Sequence, residues 1–291
     1  MPTDTPSLPT GVSLTAVLVT GARAAENARP DALYRDPLAD QFLAPAGSPS
    51  AWWPFPGRRS DPLWQWLSYY IPLRTKFFDD YVTGAQAAGC QQIVLLGAGL
   101  DSRAFRLPWA GRTVPSIFEV DVPQLCVYKE EVLARYGVVS RCSRTVVPAD
   151  VREDWPGALL RAGFDPGIPT AWLSEALSAY LTYDQNDCLL RDATALSAPG
   201  SRFATEHWQL TVRDTWSAAM QRGPAADYLK SLVQPGCSRA PEAWFALHGW
   251  RTCVFDLQEH AESCGRPTPP VQCVRDAARA MRNCLVTADR P

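Results

Sequence analysis

Residues Ile93–Trp109 read IVLLGAGLDSRAFRLPW. A short apolar run ends in Gly97-Ala98-Gly99, and a turn-and-helix pattern follows. A buried strand that passes through a glycine turn into a helix is how nucleotide-binding α/β units begin. The dinucleotide fingerprint asks for a third glycine at position 102, where the helix must approach a pyrophosphate closely. Position 102 is Ser here, and Asp101 precedes it. A carboxylate at that place repels a phosphate. The loop therefore points to a nucleoside-like ligand whose end near the turn is not a phosphate.

Strand and helix patterns alternate outward from this stretch. QQIVLLG (91–97), SIFEVD (116–121), RTVVPAD (144–150), PTAWLSE (169–175), SRFATEHW (201–208), RTCVFDL (251–257) and NCLVTADR (283–290) read as strands. Helical patterns fall at about 122–136, 153–163 and 185–197. This alternation predicts an α/β fold: a Rossmann-like, seven-stranded, mostly parallel sheet with helices on both faces. A strand that follows the sixth fits the variant in which the last strand inserts antiparallel. The core unit is expected over 91–291, with a helical insertion at about 209–248 after the fifth strand.

Residues 1–90 are expected to form an N-terminal helical cap. SLTAVLVTGARAAEN (13–27) reads as a helix. Asp36 is the expected N-cap of a second, with Pro37 at its first position. Residues 45–62 are rich in proline and glycine and read as loop. A third helix is expected over Leu73–Ala88, after Pro72. Its spacing puts Arg74 on the rows of Phe78, Tyr81 and Ala85, facing inward, and Lys76 with Asp80 on the solvent side.

Composition narrows the function classes. The chain has 291 residues, 46% of them hydrophobic and 20% charged, with a formal net charge of −2. That balance carries no electrostatic footprint for nucleic acid or an anionic membrane. No apolar run approaches the roughly 20 residues of a membrane span, and the first residues do not resemble a secretory signal. A cytoplasmic protein is expected, and its nine cysteines, with no Cys-x-x-Cys pair, are expected as reduced thiols. No Asp/Glu/His cluster has metal-ligand spacing, so no metal is expected.

Binding sites in such sheets lie at the carboxyl ends of the strands. Acidic residues recur there: Asp101, Glu119 and Asp121, Asp150, Glu175 and Glu206. Glu119 and Asp121 lie 22 and 24 residues after Gly97, near the distance at which an acid accepts from ribose hydroxyls. NAD, FAD and S-adenosylmethionine all carry that ribose. The glycine loop favours the last. Its amino-acid end suits Arg74 for the carboxylate, and Asp101 or a neighbouring carbonyl for the cationic groups. Asp150 can accept from the adenine amino group, and Val151 can pack on the ring.

Several longer stretches carry a resemblance: TAVLVTGARAAENARPDALYRDPLA, RTKFFDD, GAGLDSRAFRLPW, FEVDVPQ, the Asp150-Val151 pair, FDPGIPTAWLSEALSAYL, LSAPGSRFATE, and the closing GW, GRP and LVTA. In this order they resemble the class I methyltransferases of the leucine carboxyl methyltransferase-like group, in its actinobacterial branch. The resemblance runs from about residue 12 to the C-terminus. It implies S-adenosyl-L-methionine as cofactor. It also implies a cofactor site of Arg74, Gly97, Ala98, Gly99, Asp101, Glu119, Asp121, Asp150, Val151 and Glu175, with Arg23 as a further cation. The family often reads Glu-Gly after the fourth strand; this chain reads Glu175-Ala176.

The expected activity is O-methylation of a carboxylate or hydroxyl on a small hydrophobic or aromatic molecule, with secondary metabolism as its setting. A carboxylate acceptor needs no base, whereas a phenol or alcohol gains from one. His207, at the end of the fifth strand, and Tyr180 are the candidates for base or acceptor-orienting roles. Trp52, Trp53, Phe55, Trp64, Trp66, Tyr69, Tyr70, Trp208 and Trp216 are expected to line the acceptor pocket or build a local core. Two other readings stay open: methylation of a peptide or protein C-terminal carboxylate, and a methyltransferase fold that binds the cofactor for a non-methylating reaction. A nicotinamide oxidoreductase is the more distant reading.

Overall fold

Strand β1 (Gln92–Leu96) is buried along its whole length, and its side chains divide by parity. Ile93 and Leu95 enter one apolar cluster, Val94 and Leu96 another. A strand sends successive side chains to opposite faces, so a strand apolar at every position needs cover on both sides. A computed structural model describes residues 11–46, 61–109, 114–207, 224–234, 236–237, 239–269 and 271–291, and it supplies that cover.

The other strands are β2 (Ser116–Asp121), β3 (Ser143–Pro148), β4 (Thr170–Ser174), β5 (Arg202–Glu206), β6 (Arg251–Phe255) and β7 (Leu285–Asp289). They form one seven-stranded sheet in the order β3-β2-β1-β4-β5-β7-β6. All neighbours pair parallel except β7, which runs antiparallel between β5 and β6. The order reverses between β1 and β4, and this switch point opens the crevice at the strand ends.

Helices α1 (Ser13–Asn27), α2 (Pro37–Leu43) and α3 (Pro62–Ala87) cover one face near the crevice. In α2, Asp36 caps the helix by accepting from the Leu38 N–H, and Pro37 occupies the first turn. α3 is longer than its sequence suggests. It starts at Asp61, whose carboxylate accepts from the Trp64 N–H, and it continues through Pro72. A mid-helix proline removes a hydrogen bond and costs about 3 kcal/mol. Burial of Trp66, Leu67, Tyr70 and Ile71 before it and of Leu73, Phe77 and Phe78 after it outweighs that cost. Apolar residues of α1, α2 and α3 share one cluster with Ile93, Leu95, Ala171 and Ala204 of the sheet, so the N-terminal segment and the sheet are packed as one core.

The remaining helices are α4 (Arg103–Arg106), α5 (Pro123–Arg135), α6 (Trp155–Arg161), α7 (Tyr183–Ala195), α8 (Pro224–Leu232), α9 (Pro241–Ala246), α10 (Leu257–Ser263) and α11 (Gln272–Ala280). α8 and α9 lie in the region expected as a helical insertion. Among the described residues no helix is long and apolar enough to cross a membrane.

Candidate active site

The turn after β1 forms the floor of a cavity. Gly97 and Gly99 both have positive φ, +67° and +53°, a region that costs an L-residue roughly 1–2 kcal/mol. A β-carbon at position 97 would also meet Leu177 at 3.1 Å. The turn is tied down from behind, as the N–H groups of Gly97 and Ala98 both donate to the Val120 carbonyl. α1 lies across its mouth. Arg23 donates to the Leu100 carbonyl at 2.7 Å and pairs with Asp36 at 3.2 Å.

The cavity is lined by Gly97, Ala98, Gly99, Asp101, Asp121, Asp150, Val151, Glu175, Arg74 and Arg23, together with Thr20, Leu177 and Tyr180. Asp121 closes β2. Its carboxylate accepts from the N–H groups of Gly99 at 2.6 Å and Val122 at 2.7 Å. Burial raises its pKa, and those two hydrogen bonds only partly offset the effect. Asp150 lies at the opposite rim beside Val151. A hydrogen bond from Arg152 holds its carboxyl below the ordinary range.

A buried charge network occupies the other end. Arg74 donates from Nε to Glu175 at 3.0 Å and from Nη1 to Glu206 at 2.8 Å. Its Nη2 has no hydrogen-bond partner among the described residues. Arg103 reaches Glu175 at 2.8 Å and Asp79 at 2.8 Å, and also pairs with Asp101. Arg106 completes the group on Asp79. Burial opposes ionisation of Asp101 and Glu175, but the neighbouring guanidinium groups outweigh it and hold both carboxyls below their ordinary values. Among the described residues, Arg74, Arg103 and Arg106 join Asp79, Asp101, Glu175 and Glu206 in this network.

Ala176 follows Glu175 with φ +59°, the one positive value at a non-glycine position among the described residues. This strain sits at the wall between the first cavity and a second one. The second is lined by Leu18, Trp66, Leu67, Tyr70, Ile71, Ala179, Glu206, Leu229 and Val233, and shares Thr15, Val19, Arg74, Ala176 and Tyr180 with the first.

The profile of the leucine carboxyl methyltransferase family matches residues 16–194. The chain belongs to that family. A relative from Parafrankia sp., named "Putative S-adenosyl-L-methionine-dependent methyltransferase", is 42% identical over 265 residues, covering 89% of this chain and 83% of its own. One of the same description from Streptomyces avermitilis is 41% identical over 268 residues, covering 90% and 92%. Two crystal structures share the fold. A "putative methyltransferase" from Thermobifida fusca has a TM-score of 0.55 at 19% identity, covering 86% of this chain and 92% of its own. A DUF574 family protein from Streptomyces avermitilis has a TM-score of 0.55 at 14% identity, covering 95% and 97%.

In this leucine carboxyl methyltransferase family member, nine of the ten residues expected at the cofactor site line the first cavity; Glu119 does not. It shares a face of β2 with Asp121 but sits two residues deeper. Its carboxylate is spent on Lys129 at 2.8 Å and Arg144 at 2.7 Å. Asp101 lines the cavity, yet Arg103 engages its carboxylate, so a cationic ligand group would meet a paired acid there. The inward Arg74 and outward Lys76 lie where periodicity puts them. Lys76 pairs with Asp80 on the surface.

Of the two acceptor-side candidates, Tyr180 lines both cavities and His207 lines neither. Phe203 and Ala204 belong to opposite apolar clusters, so parity sends Glu206 to the face of α3 and His207 to the other. There His207 is buried against Trp244, with its Nε2 on the Arg239 carbonyl at 2.9 Å, and burial pushes its pKa down to about 4. Its neighbour Glu206 is the residue that reaches the second cavity. Alternation along SRFATEHW is the signal that separates the two. Trp66 and Tyr70 line the second cavity, whereas Trp64 and Tyr69 face a separate surface hollow beside Arg266. Trp52, Trp53, Phe55, Trp208 and Trp216 lie outside the described residues. Arg103, Arg106 and Asp79 were not legible as site residues.

Proposed function

We propose that the chain is an S-adenosyl-L-methionine-dependent O-methyltransferase acting on a carboxylate or hydroxyl of a small hydrophobic molecule. The observation that carries this reading is a pair of adjoining cavities of unlike chemistry. The first has a nucleoside-type end at Asp121, Asp150 and Val151 and an amino-acid-type end at Arg74 and Glu175. The second is apolar and aromatic and meets the first at Arg74, Ala176 and Tyr180.

The residues fit the cofactor. Asp121 is a half-buried acceptor for vicinal hydroxyls, its lone pairs only partly used by Gly99 and Val122. Arg74 offers Nη2 to a carboxylate. S-adenosyl-L-methionine supplies a methyl group already activated on a sulfonium. What remains for this chain is to align the acceptor and exclude water, and the packing of Trp66, Leu67, Tyr70 and Ile71 suits that task. The apolar, aromatic lining of the second cavity supports a small hydrophobic acceptor over a protein C-terminus.

The test is calorimetric titration of S-adenosyl-L-methionine, followed by incubation with a library of small apolar acids and alcohols. Stoichiometric binding with release of S-adenosyl-L-homocysteine is expected. Binding without release across the library would support the non-methylating reading, and methylation of peptide C-termini alone would support the protein-directed one.

A further inference from the structure

The nucleoside end of the first cavity holds a residue that the expected cofactor site did not include. Arg152 lies in the lining beside Asp150 and Val151. Its backbone N–H donates to Oδ1 of Asp150 at 2.9 Å. Its guanidinium donates from Nε to Oδ1 at 2.9 Å and from Nη2 to Oδ2. Nε also reaches Oδ2 at 3.1 Å, as the longer branch of the same donor. A carboxylate has about four acceptor positions, two on each oxygen. Oδ1 is filled by two donors and Oδ2 carries one close donor, so one position on Oδ2 is left for a ligand. The pair stands at an open rim: the Arg152 side chain is 56% exposed and that of Asp150 17%. An ion pair so placed adds little to folding. What it does fix is direction, because a carboxylate otherwise turns readily about its last bond.

We propose that Arg152 is a positioning residue: by holding Asp150 as a fixed acceptor, it makes the cofactor site select a 6-amino purine over a 6-oxo purine. This rests on the methyltransferase reading above and deepens it at the nucleobase. The 6-amino group of adenine donates, whereas a 6-oxo group in its place accepts. The hydrogen bond from Arg152 holds the Asp150 carboxyl below the ordinary range, so Asp150 is ionised and has no proton to offer a carbonyl. An amino N–H completes the open position on Oδ2. A carbonyl there sets lone pairs against lone pairs, and the fork of Arg152 keeps the carboxylate from turning away. Arg152 thus acts on the base through Asp150, and the methyl-transfer step itself does not involve it.

The experiment titrates the full chain first with S-adenosyl-L-methionine and then with three homocysteine nucleosides. These are S-adenosyl-L-homocysteine, S-inosyl-L-homocysteine and the analogue whose purine carries only hydrogen at C6. The last keeps N1 as an acceptor, so it separates loss of the amino group from the N1 proton of the inosyl compound. In wild type the inosyl compound should bind about thirtyfold more weakly than the adenosyl compound, and the unsubstituted purine about tenfold. In Arg152→Ala both gaps should narrow to about threefold or less, because the carboxylate is free to turn. Arg152→Lys keeps the charge without the fork and should give gaps between those two. In an Asp150→Ala background, Arg152→Ala should change neither gap, since no acceptor is left to position. Absence of S-adenosyl-L-methionine binding in wild type would overturn the methyltransferase reading, and this inference with it. With that binding intact, wild-type gaps below about threefold would overturn this inference alone. So would gaps that stay as wide in Arg152→Ala as in wild type: a merely structural role for Arg152 would weaken all three nucleosides alike.

Discussion

The two cavities share Arg74 and Ala176 but are built on opposite principles. The first is walled by strand ends and a glycine turn, and its polar groups are fixed by backbone hydrogen bonds and ion pairs. The second is walled by apolar side chains of α1, α3 and α8, and Arg74 and Glu206 are the charged residues in its described lining. The first therefore depends on electrostatic completeness and the second on shape. Changes to the network should cost stability and cofactor affinity together, while changes around the second cavity should leave the cofactor alone.

The largest expected effect is at Arg103. Replacing it with Ala leaves Asp79, Asp101 and Glu175 short of a buried partner. Breaking a buried pair in this way costs about 3–5 kcal/mol. Thermal unfolding should move down by roughly 6 °C or more, and S-adenosyl-L-methionine affinity should weaken with it. A variant of unchanged Tm would mean that the network does not hold the first cavity.

His207 sharpens the contrast from the far side of the sheet. Its folded pKa is depressed to about 4. Between its ordinary value near 6.5 and that value, the unfolded chain binds a proton that the native chain refuses, so stability falls as pH falls. The loss should amount to a few kcal/mol by the lower end of the window. His207→Gln should flatten denaturant stability over this range and leave kcat within about twofold. A large fall in kcat would restore His207 to the reaction. Asp101 and Glu175 act below that window. Their depressed pKa values add stability that is complete above about pH 4.5 and is lost as they protonate.

The smallest effect is at Ala176, on the shared wall. Its left-handed backbone costs roughly 1–2 kcal/mol, part of which Gly would return as unfolded-state entropy. Ala176→Gly should stabilise the protein by up to about 1 kcal/mol in denaturant melts and broaden acceptor size, with cofactor affinity unchanged. Destabilisation would show that the methyl contributes more by packing than the turn costs.

This division also explains what the sequence revealed. The strands, the antiparallel last strand and nine residues that line the first cavity were legible because each is fixed by local chemistry: an apolar run, a glycine turn, an acid at a strand end. Pro72 misplaced the start of α3 because tertiary burial on both sides outweighed a local rule. That Glu119 stays off the cavity was not legible because its partners, Lys129 and Arg144, come from elsewhere in the chain. Arg103 and Asp79 are 24 residues apart and meet only in the fold; the one hint was that Asp79 shares a helical row with buried Val82. His207 was singled out by residue type, and strand parity places it on the face away from both cavities.

The central claim is that the first cavity holds S-adenosyl-L-methionine through Asp121. Calorimetric titration of wild type and Asp121→Ala with S-adenosyl-L-methionine and with NAD tests it most directly. Two charge-assisted hydrogen bonds of about 1.5 kcal/mol or more each are at stake. Wild type should bind S-adenosyl-L-methionine at one site and not NAD, and the variant should bind it at least about 10²-fold more weakly. Equal affinity in the two proteins, or binding of NAD alone, would contradict the account.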